Sequence, residues 1–233
     1  MPLGAGKDER KPSAKAVQAA EEKSLGTLIE TYPLQKRTLL KFKDTGHLVH
    51  RYEKGLVDSP RTGYELPAAM RYDQISSVRQ SSIQHYINGF YNRTSFGFAI
   101  TSMAGEVIRW EGSFFDQDVS SAPAFSKGDP RLPQFGAKLA ERVSEARLPA
   151  HVKALNEGKA LVFGAIVISR EGVRVQDSVV PWSQVEPLAT ARGAAVVQHW
   201  PTHKPLVRTN LGAIPNLPLF LTLFEELRRG RLV

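Results

Sequence analysis

The chain has no cysteine among its 233 residues. That absence removes disulfides, thiolate nucleophiles and cysteine-type zinc sites together, and says little about compartment. No apolar run approaches the ~18–20 residues a membrane-spanning helix needs. The longest, Leu161–Ile168, contains Gly164 and is of strand length. The opening residues are polar and charged with no apolar stretch, so no signal peptide is read. Gly-x-Ser-x-Gly and Gly-x-Gly-x-x-Gly do not occur. Gly4-Ala5-Gly6-Lys7 lacks the upstream Gly, the following Ser/Thr and the preceding strand of a P-loop. Asp116-Gln117-Asp118 opens like a calcium loop, but Ser121 and Lys127 stand where Gly and Glu are required.

What is present is a basic, loop-rich chain. The apolar share is 42%, enough for a core, and 15 Pro with 18 Gly fit a β protein with many turns. The formal net charge is +8. The stretch from Lys7 to Lys23 mixes both signs, so the excess lies on the part expected to fold. Such a charge favours solubility and attraction to anionic partners, and does not select a fold.

The chain also repeats itself. Tyr52-Glu53-Lys54-Gly55-Leu56-Val57 is followed, after a spacer, by Arg71-Tyr72-Asp73-Gln74-Ile75; Ser169-Arg170-Glu171-Gly172-Val173-Arg174 is followed by Pro181-Trp182-Ser183-Gln184-Val185. Each copy has a charged turn ending in Gly, an apolar strand, then an aromatic residue with x-Gln-β-branched behind it. An internal repeat sets the fold before any local reading does. Residues 1–24 read as a disordered or weakly helical tail without a stripe wide enough to dock, 25–158 as a first module with a short lead-in, and 159–233 as a shorter second module.

Within the first module, Leu39–Phe42 and His47–Tyr52 read as strands about a Lys43–Gly46 turn, and Ile75–Tyr86 as a long polar strand. Asn88-Gly89 between Tyr86-Ile87 and Phe90-Tyr91 is a strong hairpin signal. Phe96, Phe98 and Ile100 alternate with small residues, which puts the bulky set on one face. Phe135, Leu139, Val143 and Ala146 recur at helical spacing until Pro149, which ends or bends the helix. In the second module, Pro181 predicts an edge strand. Gly193 centres a hairpin, and Asn216 is a plausible N-cap for a helix with the stripe Leu217, Phe220, Leu221, Phe224, Leu227. The fold expected is α+β, mostly β: two tandem small sandwiches or barrels, each closed by a C-terminal amphipathic helix, the logic of the pleckstrin-homology fold. The two are joined through the helix at 133–156.

Four strings carry a resemblance: Arg51–Val57, Tyr72–Ile75, His85–Tyr91 and Ala213–Leu221. Together they resemble an uncharacterised bacterial family, of actinobacterial type, with tandem pleckstrin-homology-like domains, over about Leu25 to Leu227. The resemblance implies that fold and carries no activity, and fold does not imply function.

Two clusters are candidate contact sites. His85, Tyr86, Ile87, Phe90, Tyr91 and Arg93 form the first. Its aromatics either insert at a lipid interface or grip a partner, or they pack on the other module or the Phe96/Phe98 face. The packed alternative is favoured, because aromatic pairs also stabilise hairpins. The second is the basic set Lys41, Lys43, Arg51, Lys54 and Arg61. In headgroup-binding pleckstrin-homology domains, basic residues of the first two strands surround the anion, and the resemblance puts Lys41, Lys43 and Arg51 in that segment. His47/His50 and His199/His203 read as surface residues, and Trp182 and Trp200 as core. No catalytic residue, metal or cofactor is assigned. The function expected is non-enzymatic binding or scaffolding at an anionic membrane surface or acidic protein partner, in the cytoplasm and peripheral at the inner membrane. A peptide-binding edge strand and a hydrolase with an unrecognised site are the alternatives. Nucleic acid is disfavoured, because aromatics are not interleaved with Lys/Arg as a stacking array.

Overall fold

In a computed structural model, residues 11–38, 41–60, 66–116, 118–119 and 129–232 are described. After a short helix α1 (Ala14–Glu22), four strands form one antiparallel sheet in sequence order: β1 (Leu28–Arg37), β2 (Phe42–Tyr52), β3 (Gly55–Ser59) and β4 (Ala68–Arg71). A single 3₁₀ turn, Tyr72–Gln74, leads to a three-stranded sheet of β5 (Ile75–Ile87), β6 (Phe90–Ser102) and β7 (Val107–Phe114), and then to helix α2 (Arg131–Asn156). The order then recurs with shorter strands. A four-stranded sheet contains β8 (Leu161–Phe163), β9 (Ile166–Ile168), β10 (Gly172–Val175) and β11 (Ser178–Pro181). The 3₁₀ turn Trp182–Gln184, a three-stranded sheet of β12 (Ala189–Ala191), β13 (Ala194–His199) and β14 (Lys204–Asn210), and helix α3 (Leu217–Arg228) complete it. The chain is α+β and mostly β, and its described strands form four separate sheets rather than a closed barrel.

The two repeat glycines occupy matching places. Gly55 opens β3 opposite Arg71, the residue before Tyr72; Gly172 opens β10 opposite Pro181, the residue before Trp182. An added Cβ would run into the Met70 carbonyl at Gly55 and into the Val180 carbonyl at Gly172. Both positions demand a residue without a side chain because the neighbouring strand's backbone fills the space.

Several local expectations are corrected. The supposed lead-in is the long edge strand β1, which tolerates Pro33 because it lies at the sheet margin. Lys43–Gly46 is not a turn. Pro33 pairs with Leu48 and Gln35 with Asp44, so Thr45-Gly46-His47 bulge opposite Leu34 inside β2. Gly46 takes φ 79°, and the Thr45 hydroxyl donates to the Leu34 carbonyl at 2.7 Å. The turn lies instead between Arg37 and Phe42, where residues 39 and 40 fall outside the description. The helix in the N-terminal segment docks after all. Ala16, Ala20 and Leu25 are buried against Tyr52 and Val57, because small residues let the helix backbone approach without a wide stripe.

Two main cores result. In the first, Leu56, Val78, Phe98, Ile100 and Trp110 pack beneath Leu132, Phe135, Leu139 and Val143 of α2. Gly136 lies so close to the Phe98 ring that no side chain would fit there. In the second, Ile166, Ile168, Val173 and Val197 meet Leu219, Phe220, Leu223, Phe224 and Leu227 of α3. Leu217 is only half-buried there and Leu221 is exposed, so the buried stripe is shifted from the expected one. Trp182 joins this core edge-to-face with Phe224, while Trp200 is exposed, contrary to expectation. α2 does not stop at Pro149. It runs on, and Leu148, Val152 and Leu155 pack into the second core.

Asn216 joins the halves. It does not cap α3 with its side chain. Its Oδ1 accepts from Val78 N at 2.9 Å, its Nδ2 donates to Ser76 O at 3.0 Å, and its own N–H donates to Val78 O at 2.9 Å. The Ile214–Leu217 segment thereby satisfies backbone groups on the outer edge of β5.

Candidate functional site

The β5–β6 hairpin is built as its sequence predicts. Asn88 and Gly89 take φ 49° and 81°, the two positive values of a type I′ turn. Ile87 pairs with Phe90, Tyr86 with Tyr91, and His85 with Arg93, with an irregularity that accommodates Asn92. β7 reaches only to Phe114 opposite Thr94, so the ribbon from His85 to Arg93 projects with no third strand beside it, and Ile83 lies at its base. Strand alternation puts Ile83, His85, Ile87, Phe90 and Arg93 on one face.

That face is apolar and solvated. Phe90 is 78% exposed, Ile83 58% and Ile87 56%, and Tyr86 on the opposite face is 53% exposed. The packed alternative therefore fails for Tyr86 and Phe90. It holds for Tyr91 in a different way. The Tyr91 ring stands edge-on to Phe115 at 5.0 Å, and its oxygen meets Thr94 Oγ1 at 2.7 Å and accepts from Asp116 N at 2.9 Å. Tyr91 is the hairpin's anchor, and the others are its tip. His85 Nε2 lies 2.8 Å from Ser95 Oγ, which leaves Arg93 as the permanent cation nearest the tip. Below it, a shallow groove of about 360 Å³ is lined by Lys36, Arg37, Ile83, Arg93 and Glu111. Three cations against one carboxylate thus collar the apolar tip.

The predicted anion set is dispersed. Lys41 lies in the β1–β2 turn and Lys43 at the start of β2, both exposed. Lys54 is exposed in the β2–β3 turn. Lys43 and Arg51 stand at opposite ends of β2, seven residues between them, roughly 25 Å at the usual rise per residue. Arg61 lies outside the described residues, as do Gly4–Lys7 and, of the calcium-loop pattern, Gln117, Ser121 and Lys127.

Arg51 enters a different site, a cleft of about 160 Å³ between α2 and the ends of β1 and β2. Its guanidinium lies 5.6 Å from the Phe135 ring centre, and Tyr32 stacks on that ring at 5.2 Å. The Tyr32 hydroxyl donates to Glu30 at 2.9 Å, and Arg131 reaches Glu30 at 2.9 Å and Asp129 at 2.6 Å. Burial pushes Tyr72 up to about 12 and raises Tyr32 as well, so both phenols stay protonated. The hydrogen bond that Arg51 donates to the Tyr32 oxygen is the first cause holding its guanidinium in the charged form. Lys138 and Arg142 complete the lining. Sequence reasoning missed this cleft. The signal was there: Arg131, Phe135, Lys138 and Arg142 recur at intervals of four, three and four, a second helical stripe beside the apolar one.

The histidines divide. His47 meets Asp58 at 2.6 Å, and Trp110 Nε1 donates to the same carboxylate at 3.0 Å. His50 has no exposed surface, which corrects its reading as a surface residue. His203 pairs with Glu186 at 2.7 Å, and His199 with Thr202 at 3.0 Å. Among the described residues, no three His, Asp or Glu side chains are grouped to hold a metal ion, and no helix is long and apolar enough to cross a membrane.

The chain is similar over residues 124–231, a little under half its length, to a family described as a family of unknown function, DUF6585. The matched stretch spans α2 and every element after it, and leaves the β5–β6 hairpin outside. No curated protein and no solved structure matches.

Proposed function

We propose that this protein is a non-enzymatic binding protein of two tandem pleckstrin-homology-like modules, which engages anionic membrane surfaces through the β5–β6 hairpin of the first. The modular part of the reading is supported by element order. Four meander strands, a 3₁₀ turn carrying aromatic-x-Gln, three strands and a covering helix occur twice. The membrane part rests on one observation: Ile83, Ile87 and Phe90 stand exposed on one face of a projecting hairpin with Arg93, Lys36 and Arg37 behind them. Exposed apolar patches of this kind mark interaction surfaces.

Magnitudes fit a reversible peripheral contact. Immersing these three partly exposed side chains contributes about 1–2 kcal/mol each. Each basic residue held near an anionic surface adds about 1 kcal/mol. Both terms are needed for a stable contact, as with single-chain lipid anchors, which bind only marginally without a basic patch. On this proposal the protein is cytoplasmic and peripheral at the inner leaflet.

Co-sedimentation with phosphatidylglycerol vesicles, compared with phosphatidylcholine vesicles over a salt series, tests it. We expect binding to the anionic vesicles that salt weakens without abolishing, and a loss of about tenfold or more in Phe90→Ser. Absence of binding to phosphatidylglycerol at low salt would sink the membrane reading.

A further inference from the structure

The cleft under α2 brings three further cations, Arg51, Lys138 and Arg142, beside Arg131, with Glu30 the one carboxylate in its lining. Arg131 is neutralised by Glu30 and Asp129. Lys138 and Arg142 are not: among the described residues neither has an acidic partner. They stand four apart on one helix face, where like charges repel. Arg51 is the third, and its Nε–H is buried with no acceptor. An orphaned buried donor in a native structure points to a missing partner. The phenol oxygens of Tyr32 and Tyr72 accept from the Arg51 guanidinium but leave its Nε–H unpaired. The Tyr32 hydroxyl donates to Glu30 and the Tyr72 hydroxyl to the Tyr52 carbonyl at 3.2 Å. Burial keeps both neutral, so no phenolate offsets the positive charge.

We infer that this cleft is an oxyanion site that takes a phosphate group, either inorganic phosphate or a phosphomonoester. Arginine presents a planar fork that matches phosphate, and lysine adds a mobile point charge. The volume of about 160 Å³ is enough for a tetrahedral oxyanion. The aromatic wall of Phe135 and Tyr32 lowers the local dielectric, which strengthens the attraction. The inference is independent of the hairpin, which lies on other elements.

Titration calorimetry of the full chain with inorganic phosphate, against chloride at equal ionic strength, tests it, alongside phosphatidate vesicles as the lipid source of the same group. Lys138 and Arg142 are exposed, so the double variant Lys138→Gln/Arg142→Gln should fold. We expect saturable phosphate binding at one site, weakened at least tenfold in that variant and unchanged in Phe90→Ser. Phosphatidylglycerol binding through the hairpin should show the converse sensitivity. Binding of phosphatidate vesicles that depends on Lys138 and Arg142, with none of free phosphate, would assign the group to a lipid headgroup. No saturable binding of either probe, or equal phosphate affinity in the double variant, overturns the inference.

Discussion

His50 lies wholly buried in β2, with Thr31 Oγ1 at 3.0 Å from its Nδ1. Burial drives its pKa from 6.5 down to about 4, partly opposed by Asp58. Below pH 6.5 the unfolded chain takes up a proton that the folded one refuses. Stability present above 6.5 is therefore lost as pH falls toward 4, by roughly 3 kcal/mol in all at ~1.4 kcal/mol per unit. Urea titrations at pH 7 and pH 4.5 should show this loss, and His50→Asn should flatten that part of the profile. At Gly55 and Gly172 a substitution by Ala forces strand backbones apart. Each should lower unfolding free energy by about 2 kcal/mol or more, by chemical denaturation. These glycines were legible because the charged turn before each announces them. Asn216 was legible only as a cap, since its partner Val78 is 138 residues away.

α2 shows where local rules yield to packing. Pro149 removes one amide donor and crowds the carbonyl of Glu145, which ordinarily ends a helix. Here Val143 on one side and Val152 on the other are each held by a core, and tertiary burial outweighs propensity. Pro149→Ala should therefore stabilise the protein by about 1–3 kcal/mol, visible as a higher melting temperature. The hairpin is the opposite case. Its turn and register were readable from Asn88-Gly89, because local twist alone selects that turn. Its exposure was not, because nothing local says that β7 ends at Phe114. Ile87→Ser/Phe90→Ser should leave unfolding free energy within about 0.5 kcal/mol of the parent, by urea titration. β1 was hidden by Pro33, and the Thr45-Gly46 bulge imitated a turn.

At the scale of the molecule, the repeated element order was legible from a few spaced residues, because Gly and aromatic-x-Gln mark the same junction twice. The union of the halves was not. It depends on α2 crossing both cores, on α2 packing against α3, and on Asn216 at the edge of β5. Trp110 and Trp182 report one core each. In a Trp200→Phe background their fluorescence transitions in urea should coincide, and Asn216→Ala should separate them. The grip on β5 has one more consequence. The strand is clamped near Ser76–Val78 by the later half of the chain, while its other end, nine residues on at Ile87, stands free, roughly 30 Å away. The hairpin is thus less a tether than a mast stepped into a keel. Wherever its head is embedded, the trailing half is carried at a set height and bearing, so any cargo it holds would be presented in one orientation.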